Sequence, residues 1–160
     1  MTYKNHTAGT VDKEITTRLI ELTRSAGLSV ATGDVLLFDS LRETSVSGVT
    51  TNATTGEITL PLGYEYYIVA SIEIDRNANS DSFRIAWVDS NGTEIQAADG
   101  GFDCRYDWHS SSVTTNVPNF TMSAVLMTSE HSSVYLKCMS MTAGSTMTAQ
   151  TSILITQAAI

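Results

Sequence analysis

The stretch Asn52–Asp75, NATTGEITLPLGYEYYIVASIEID, carries the strongest structural signals in the sequence. It opens on a turn, because Gly56 supplies the positive φ that tight turns often need. A short strand, Glu57–Leu60, follows and is ended by Pro61, which cannot donate to a β ladder. The longest apolar run then spans Tyr64–Ile74, and its aromatic and β-branched residues predict a central strand.

This predicted strand has two different faces, because alternate side chains of a strand point to opposite sides. One face carries Tyr66, Ile68, Ala70, Ile72 and Ile74. The other carries Tyr67, Val69, Ser71 and Glu73. Since the second face is mixed rather than polar, we expect a packed sheet on one side and a different partner on the other.

The composition favours strands and argues against several classes of function. Only 16% of the 160 residues are charged, and Ser, Thr and Asn supply most of the polarity, which suits strands and turns. The net charge of −8 argues against nucleic-acid binding, which needs a basic surface. No segment is apolar enough to span a membrane, and the N-terminus lacks a signal peptide, so we expect synthesis in a cytoplasm without export. In such a compartment Cys104 and Cys138 are expected to be buried or partly buried thiols, although a disulfide is an alternative.

Short strands separated by turn signals continue along the chain. Residues 15–24 fit either a helix or a strand, and their Thr and Ile content favours a strand. The further predicted strands are Val35–Phe38, 83–87, Glu94–Ala97, Phe120–Thr128, Val134–Met141 and Met147–Gln157. Predicted turns lie at Asn77–Ser80, Asn91-Gly92, Glu130–Ser132 and Ala143–Ser145, and residues 98–118 form the longest irregular segment. This pattern predicts an all-β antiparallel sandwich over residues 15–160, preceded by an N-terminal arm over residues 1–14.

The order of several motifs resembles the complement globular-head and tumour-necrosis-factor superfamily of jelly rolls. The shared features are Phe38-Asp39, the Asn52–Gly56 turn, Ile58, Pro61, Gly63, Tyr66-Tyr67, Trp87–Gly92, Val134–Leu136 and Ser152–Ile155. The resemblance implies a jelly-roll β-sandwich that assembles as a homotrimer, with the central and last strands in a sheet that faces the three-fold axis. It therefore implies trimer-interface or core roles for Tyr64, Tyr66, Tyr67, Ile68, Val69, Ala70, Ile72, Ile153 and Ile155. Aspartate at Tyr66 or Ile68 is then expected to abolish assembly.

No catalytic arrangement stands out in the sequence. His6, His109 and His131 are scattered among Ser and Asp residues, without a nucleophile elbow, a zinc-binding His pair or a phosphate-binding glycine loop. We therefore expect neither an enzyme nor a cofactor. Met122, Met127, Met139, Met141 and Met147 are expected to fill gaps in the core.

The segment 98–118 holds the remaining candidates for binding. Asp99, Asp103 and Asp107 recur every four residues and are weak calcium candidates, although the spacing fits no EF-hand and a solvated acidic loop explains it equally well. Phe102, Tyr106, Trp108 and His109 are candidates for a partner-binding face, and the alternative is that they cap the sandwich or fill a subunit interface. In the N-terminal arm, Lys4 and Lys13 are candidates for docking onto a neighbour.

Two functional classes remain open. A small jelly roll with a polar arm and without a shaft looks like an accessory virion protein, a phage capsid decoration (cement) protein whose trimers lie on the outer capsid surface and bridge major capsid subunits. The alternative is a receptor- or glycan-binding head of a phage tail or head fibre. We expect the first, because such heads are usually attached to a long trimeric shaft.

Overall fold

A computed structural model describes residues 18–24, 28–43, 47–75, 82–96, 99–102, 104–107, 120–141, 146–147 and 152–159. The predicted arm over residues 1–14, with Lys4 and Lys13, lies outside the described residues. His6, Asp103, Trp108, His109 and the predicted turns at 77–80 and 143–145 also lie outside them.

The described part of the chain consists of β-strands joined by turns. The strands are β1 (Arg18–Thr23), β2 (Leu28–Ser29), β3 (Ser40–Glu43), β4 (Thr50–Thr51), β5 (Ile58–Thr59), β6 (Tyr64–Asp75), β7 (Ser82–Asp89), β8 (Gly101–Phe102), β9 (Cys104–Asp107), β10 (Phe120–Thr128), β11 (Ser133–Met141), β12 (Thr146–Met147) and β13 (Ser152–Ala159). No helix in these residues is long and apolar enough to cross a membrane.

The strands form two antiparallel sheets. In sheet A the long strand β6 is central, with β10 on one side and β13 and β12 on the other. Beyond β13 come β1 and β3, while β8 extends the opposite edge through β10. Sheet B has the order β4-β5-β11-β7-β9. Two packed antiparallel sheets confirm the predicted β-sandwich.

The core lies between the sheets and is built from cross-strand rows of apolar side chains. In sheet A one row runs Leu126–Ile68–Ile155–Ile20, and the next runs Ala124–Ala70–Ile153–Leu22. All eight side chains have 0% exposure. Sheet B contributes Ile85, Trp87 and Leu136 to the same cluster. Each buried aliphatic side chain stabilises the fold by about 1.5–3 kcal/mol, so these rows set the register of the sheet.

The turn at the start of the quoted stretch forms as predicted. Asn52 Oδ1 accepts hydrogen bonds from the amides of Thr54 and Thr55, and Asn52 O accepts one from Gly56 N. Gly56 has a φ of +74°, and a Cβ there would collide with Val35. Glycine is therefore required both by the backbone conformation and by the close approach of the 35–37 segment.

Several predicted strand boundaries need correction. Residues 18–23 of the ambiguous first segment form a strand, which confirms the preferred alternative. The prediction of a regular strand over Val35–Phe38 was wrong. The Leu36 amide donates to Leu136 O of β11, but Asp39 N already donates to Thr23 O of β1, so the segment crosses from sheet B to sheet A. Glu94–Ala97 was also wrong, because only Glu94 makes a bridge, to Val88, among its described residues.

The segment 98–118 is less irregular than predicted, because it contains β8 and β9. Strand β8 was missed because Gly101-Phe102 has no apolar alternation, so that only its pairing with β10 defines it as a strand. The predicted strand Met147–Gln157 is instead two strands, β12 and β13.

Candidate functional site

The candidate site is the outward side of sheet A, the side that faces away from sheet B. We call it the outer face. Three cross-strand rows define it. The first is Met127–Tyr67–Thr156–Leu19, the second is Val125–Val69–Leu154–Glu21–Arg42, and the third is Ser123–Ser71–Ser152–Thr23–Ser40.

The first two rows expose large apolar side chains. Tyr67 and Met127 are each 47% exposed, Leu19 is 45% exposed and Leu154 is 44% exposed. Val69 and Val125 lie half-buried between them. Four of the five exposed large hydrophobic residues in the described part of the chain therefore lie on one surface of four adjacent strands. A contiguous apolar surface of this kind typically marks an interaction site.

Polar groups border this apolar surface on two sides. Arg42 and Glu21 form an ion pair at 3.8 Å near the β3 edge, and their side chains are 80% and 43% exposed. Such a solvated pair contributes little to stability. On the side of the third row, five adjacent strands each present a hydroxyl group. The outer face is thus apolar over two rows and hydroxylated over the third.

The structure divides the nine interface or core candidates between the two sides of sheet A. Those that lie in the core of the protomer are Tyr66, Ile68, Ala70, Ile72, Ile153 and Ile155. Tyr67 and Val69 lie on the outer face, and half-buried Tyr64 packs against the core cluster. Aspartate at Tyr66 or Ile68 would therefore act on the folding of the protomer itself, not on contacts between copies.

The sequence interpretation missed three of the four exposed large apolar residues of the outer face. Leu19 and Leu154 belong to strands whose alternation was visible, but the neighbouring strands that make their exposure contiguous could not be read from the chain. The assignment of Met127 to the core was wrong, because its side chain is 47% exposed. Met141 is confirmed as packed against the core, Met139 is half-buried, and the side chains of Met122 and Met147 lie outside the described set.

The predicted binding residues of the 98–118 segment do not lie on one loop. Phe102 is on β8 of sheet A, whereas Tyr106 is on β9 of sheet B. The calcium candidates are separated in the same way, since Asp99 precedes β8 and Asp107 ends β9. Among the described residues no group of three or more His, Cys, Asp or Glu side chains is arranged to hold a metal ion.

A polar cluster is buried at one end of sheet A, in the row that follows the apolar core rows. Gln157 is 0% exposed, and its Nε2 donates to Tyr66 Oη at 2.9 Å and to Ser47 O at 3.1 Å. Tyr66 Oη in turn donates to Pro61 O at 2.7 Å. Arg18 Nη1 donates to Gln157 Oε1 at 3.4 Å, and its guanidinium lies 5.6 Å from the centre of the Tyr64 ring. Burial raises the pKa of Tyr66, an effect that its hydrogen bond with Gln157 opposes.

A cleft of about 260 Å³ opens at the same end, beside the first row of the outer face. Its lining residues are Asp99, Gly100, Met127, Thr128, Ser129, Glu130 and His131. Thr128 Oγ1 accepts hydrogen bonds from the amides of Glu130 and His131, which fixes the turn. The cleft is therefore lined by a well-defined turn and carries two exposed carboxylates, Asp99 and Glu130.

The cysteine positions favour thiols over a disulfide. Cys104 and Cys138 both pair with Ile85, from opposite sides of β7. Their Cα atoms are thus two strand spacings apart, about 9–10 Å, whereas a disulfide requires less than about 7 Å. Cys138 is a buried free thiol, and burial raises its pKa to about 11, with a further contribution from Asp34.

Comparison with solved structures identifies the architecture. The structure of Eiger TNF from S. frugiperda superimposes with a TM-score of 0.57 at 14% identity, over 89% of this chain and 92% of that chain. The chain has a TNF-like jelly-roll fold. The globular domain of zebrafish complement 1qA matches with a TM-score of 0.48 at 12% identity, over 87% of this chain and 94% of that chain. Murine APRIL matches with a TM-score of 0.48 at 8% identity, over 89% of this chain and 98% of that chain.

The similarity to this TNF-like jelly roll is structural. No protein-family model matches the sequence, and no curated protein matches it. The fold confirms the predicted architecture, and any function must be argued from the outer face and from the end of the sandwich that carries the cleft.

Proposed function

We propose that this TNF-like domain assembles as a homotrimer through its outer face and serves as a structural virion protein, a capsid decoration protein that stabilises the major capsid lattice. The exposed apolar rows of the outer face, around Tyr67 and Leu154, carry the proposal. They give sheet A a second apolar side in addition to the core, and a further copy of the chain is the occupant that the TNF-like resemblance implies.

The energetics of the outer face fit self-association. Covering a half-exposed leucine or tyrosine contributes about 1 kcal/mol per side chain. Tyr67, Met127, Leu19 and Leu154 share one surface, so their contributions act together. A three-fold ring brings different parts of this face into contact in neighbouring copies, and it closes without leaving an unfilled surface. The hydroxyl row remains compatible with the contact, because hydroxyl groups can pair across an interface or retain water.

The role on the virion is supported by charge and by the nature of the exposed groups. The net charge of −8 disfavours contact with packaged nucleic acid. The apolar outer face would join the copies of the trimer, and a separate end of each copy would bind another protein. Such a trimer can link neighbouring capsid subunits. In the proposed arrangement the trimer lies on the outer capsid surface, with the major capsid protein as its partner.

The first test measures the mass of the purified chain by light scattering. The wild type is expected to have three times the mass of one chain. Leu154→Asp is expected to have the mass of a single chain, with an unchanged circular dichroism spectrum. Thr54→Asp introduces the same charge at an exposed turn and is expected to stay trimeric. Ile68→Asp is expected to unfold, because its side chain is in the core. A trimeric Leu154→Asp variant would show that the outer face is not the contact.

The second test addresses the virion role. Particles of the virus that encodes the chain are heated with and without the protein, and release of their DNA is followed. The protein is expected to raise the temperature of release. Unchanged particle stability together with binding to host cells or glycans would instead support the fibre-head function.

A further inference from the structure

Two loops meet at the end of the sandwich that carries the buried polar cluster. One connects β5 to β6 and includes Leu60–Gly63, and the other connects β10 to β11 and includes Ser129–Ser132. They are joined directly, because Leu60 N donates to Ser132 O at 2.8 Å. The first loop carries the exposed side chain of Leu62, and the second lines the cleft. Because the loops are joined, Leu62 and the cleft belong to one surface. We call this surface the loop end.

Leu62 is the most exposed large hydrophobic residue in the described part of the chain, at 71% exposure. The loop that carries it is held from below by the hydrogen bond from Tyr66 Oη to Pro61 O. The backbone of Gly48 passes close beside the same loop, since a Cβ there would lie 3.0 Å from Pro61 Cγ. An apolar side chain on a loop that is already ordered loses little conformational entropy when a partner covers it.

The buried Gln157 explains how this loop is positioned. On the inward side of β13 the preceding positions are Ile153 and Ile155, so an apolar side chain would continue the core. Instead the Gln157 amide donates hydrogen bonds to Tyr66 Oη and to Ser47 O. Tyr66 Oη in turn donates to Pro61 O in the loop of Leu62. A buried hydrogen-bonded group contributes little more net stability than an apolar one, but it requires a defined geometry. The cluster therefore defines where the Leu62 loop projects.

The cleft supplies the second recognition element. Its volume of about 260 Å³ suits one long side chain, and its rim carries the carboxylates of Asp99 and Glu130. A basic side chain is the complementary occupant, because its N–H groups donate charge-assisted hydrogen bonds to carboxylates and its positive charge complements theirs. The acidic net charge of the chain acts in the same direction over longer distances.

We infer that the loop end is the docking surface for a protein partner that offers an apolar pocket to Leu62 and a lysine or arginine side chain to the cleft. This inference rests on the proposed function, in which that partner is the capsid surface. In a three-fold assembly the loop end occurs three times, so weak single contacts add up to stable attachment.

The experiment measures binding of purified protein to particles of the encoding virus that lack it, by co-sedimentation over a concentration series. Leu62→Ser is expected to bind about tenfold more weakly or worse, because a leucine loses its apolar contact. Leu62→Met keeps an apolar side chain of similar volume and is expected to bind like the wild type. Glu130→Gln is expected to bind more weakly and with a smaller dependence on salt. Asp34→Asn, which removes one charge from the turn beside β11, is the matched control and is expected to bind normally.

The outcomes separate this inference from the function on which it rests. Wild-type protein that does not bind particles overturns both. Wild-type protein that binds, together with unchanged binding by Leu62→Ser or by Glu130→Gln, overturns the docking surface and leaves the decoration role standing. A change in the oligomeric mass of Leu62→Ser also overturns it, because Leu62 would then belong to the contact between copies.

Discussion

Replacing Gln157 with methionine removes the amide that links two loops to sheet A, while keeping nearly the same side-chain volume. The variant loses the long hydrogen bond from Arg18 Nη1 to Oε1 and the two shorter ones from Nε2 to Tyr66 Oη and to Ser47 O. Two such bonds contribute about 1–3 kcal/mol together, and the greater apolarity of methionine offsets a small part of this. We therefore expect a loss of about 2 kcal/mol in the free energy of unfolding.

The assay is urea unfolding followed by circular dichroism, at one fixed protein concentration because association stabilises the folded state. With a slope of about 2 kcal/mol per molar urea, the midpoint is expected to fall by about 1 M. Tyr66→Phe tests the same cluster, since it removes the hydroxyl that bridges Gln157 and Pro61.

The double variant Tyr66→Phe/Gln157→Met completes a thermodynamic cycle. It should lose less stability than the sum of the single variants, because removing both partners leaves fewer buried polar groups unpaired. A midpoint shift of less than about 0.2 M for Gln157→Met, or strict additivity in the cycle, would show that the cluster does not act as a unit.

Three further predictions concern other parts of the fold. The Cys138 thiol is expected to resist alkylation at neutral pH and to react once urea unfolds the chain, because burial raises its pKa to about 11. Peptide mass spectrometry distinguishes it from Cys104, and rapid labelling of Cys138 itself in the native protein would contradict this. The amide of Thr93 and that of Asn91 lower the pKa of Asp89, so its stabilising contribution is present above the ordinary aspartate pKa and declines as pH falls through the lowered value. Asp89→Ala should therefore lower the melting temperature at pH 7, and the loss should become smaller as pH falls below the ordinary aspartate pKa; a loss that does not change with pH would argue against it. Gly101→Ala is expected to lower the melting temperature strongly, because a Cβ there collides with Ile95 O. Gly92→Ala is the milder control, since its Cβ meets no atom within 4 Å, although its φ is +77°. Equal melting temperatures of the two variants would contradict the close approach at Gly101.

The long alternating strands and the strongest turns could be predicted because their signals are local. Tyr64–Asp75, Phe120–Thr128 and Ser133–Met141 each carry enough alternation to identify a strand without its neighbours. The Asn52–Gly56 turn follows from the hydrogen bonding of one side chain and the freedom of one glycine. Short strands such as β8 have no comparable pattern, since pairing with another strand alone defines them.

The candidate site was predicted in part. Alternation alone placed Tyr67 and Val69 on the opposite side of the strand from Tyr66 and Ile68, but it did not show which side packs against sheet B. The expectation that aspartate at Tyr66 or Ile68 abolishes assembly therefore assigned the contact between copies to the side that lies in the core. Leu19, Met127 and Leu154 were not recognised, because their importance depends on which strands lie side by side. The loop end was not predicted at all, since Leu62, Gln157 and Glu130 are far apart in sequence and have no shared motif.

The amino-acid sequence by itself determined that this protein is a β-sandwich, which side of its central strand is apolar throughout, and that its surface is acidic. Those properties depend on residues within a few positions of one another and on composition. Only the tertiary structure decided that two apolar rows form one exposed surface and that a buried glutamine holds the loop of Leu62. Both depend on strand order and register, which arise when distant segments pair and which no local pattern encodes.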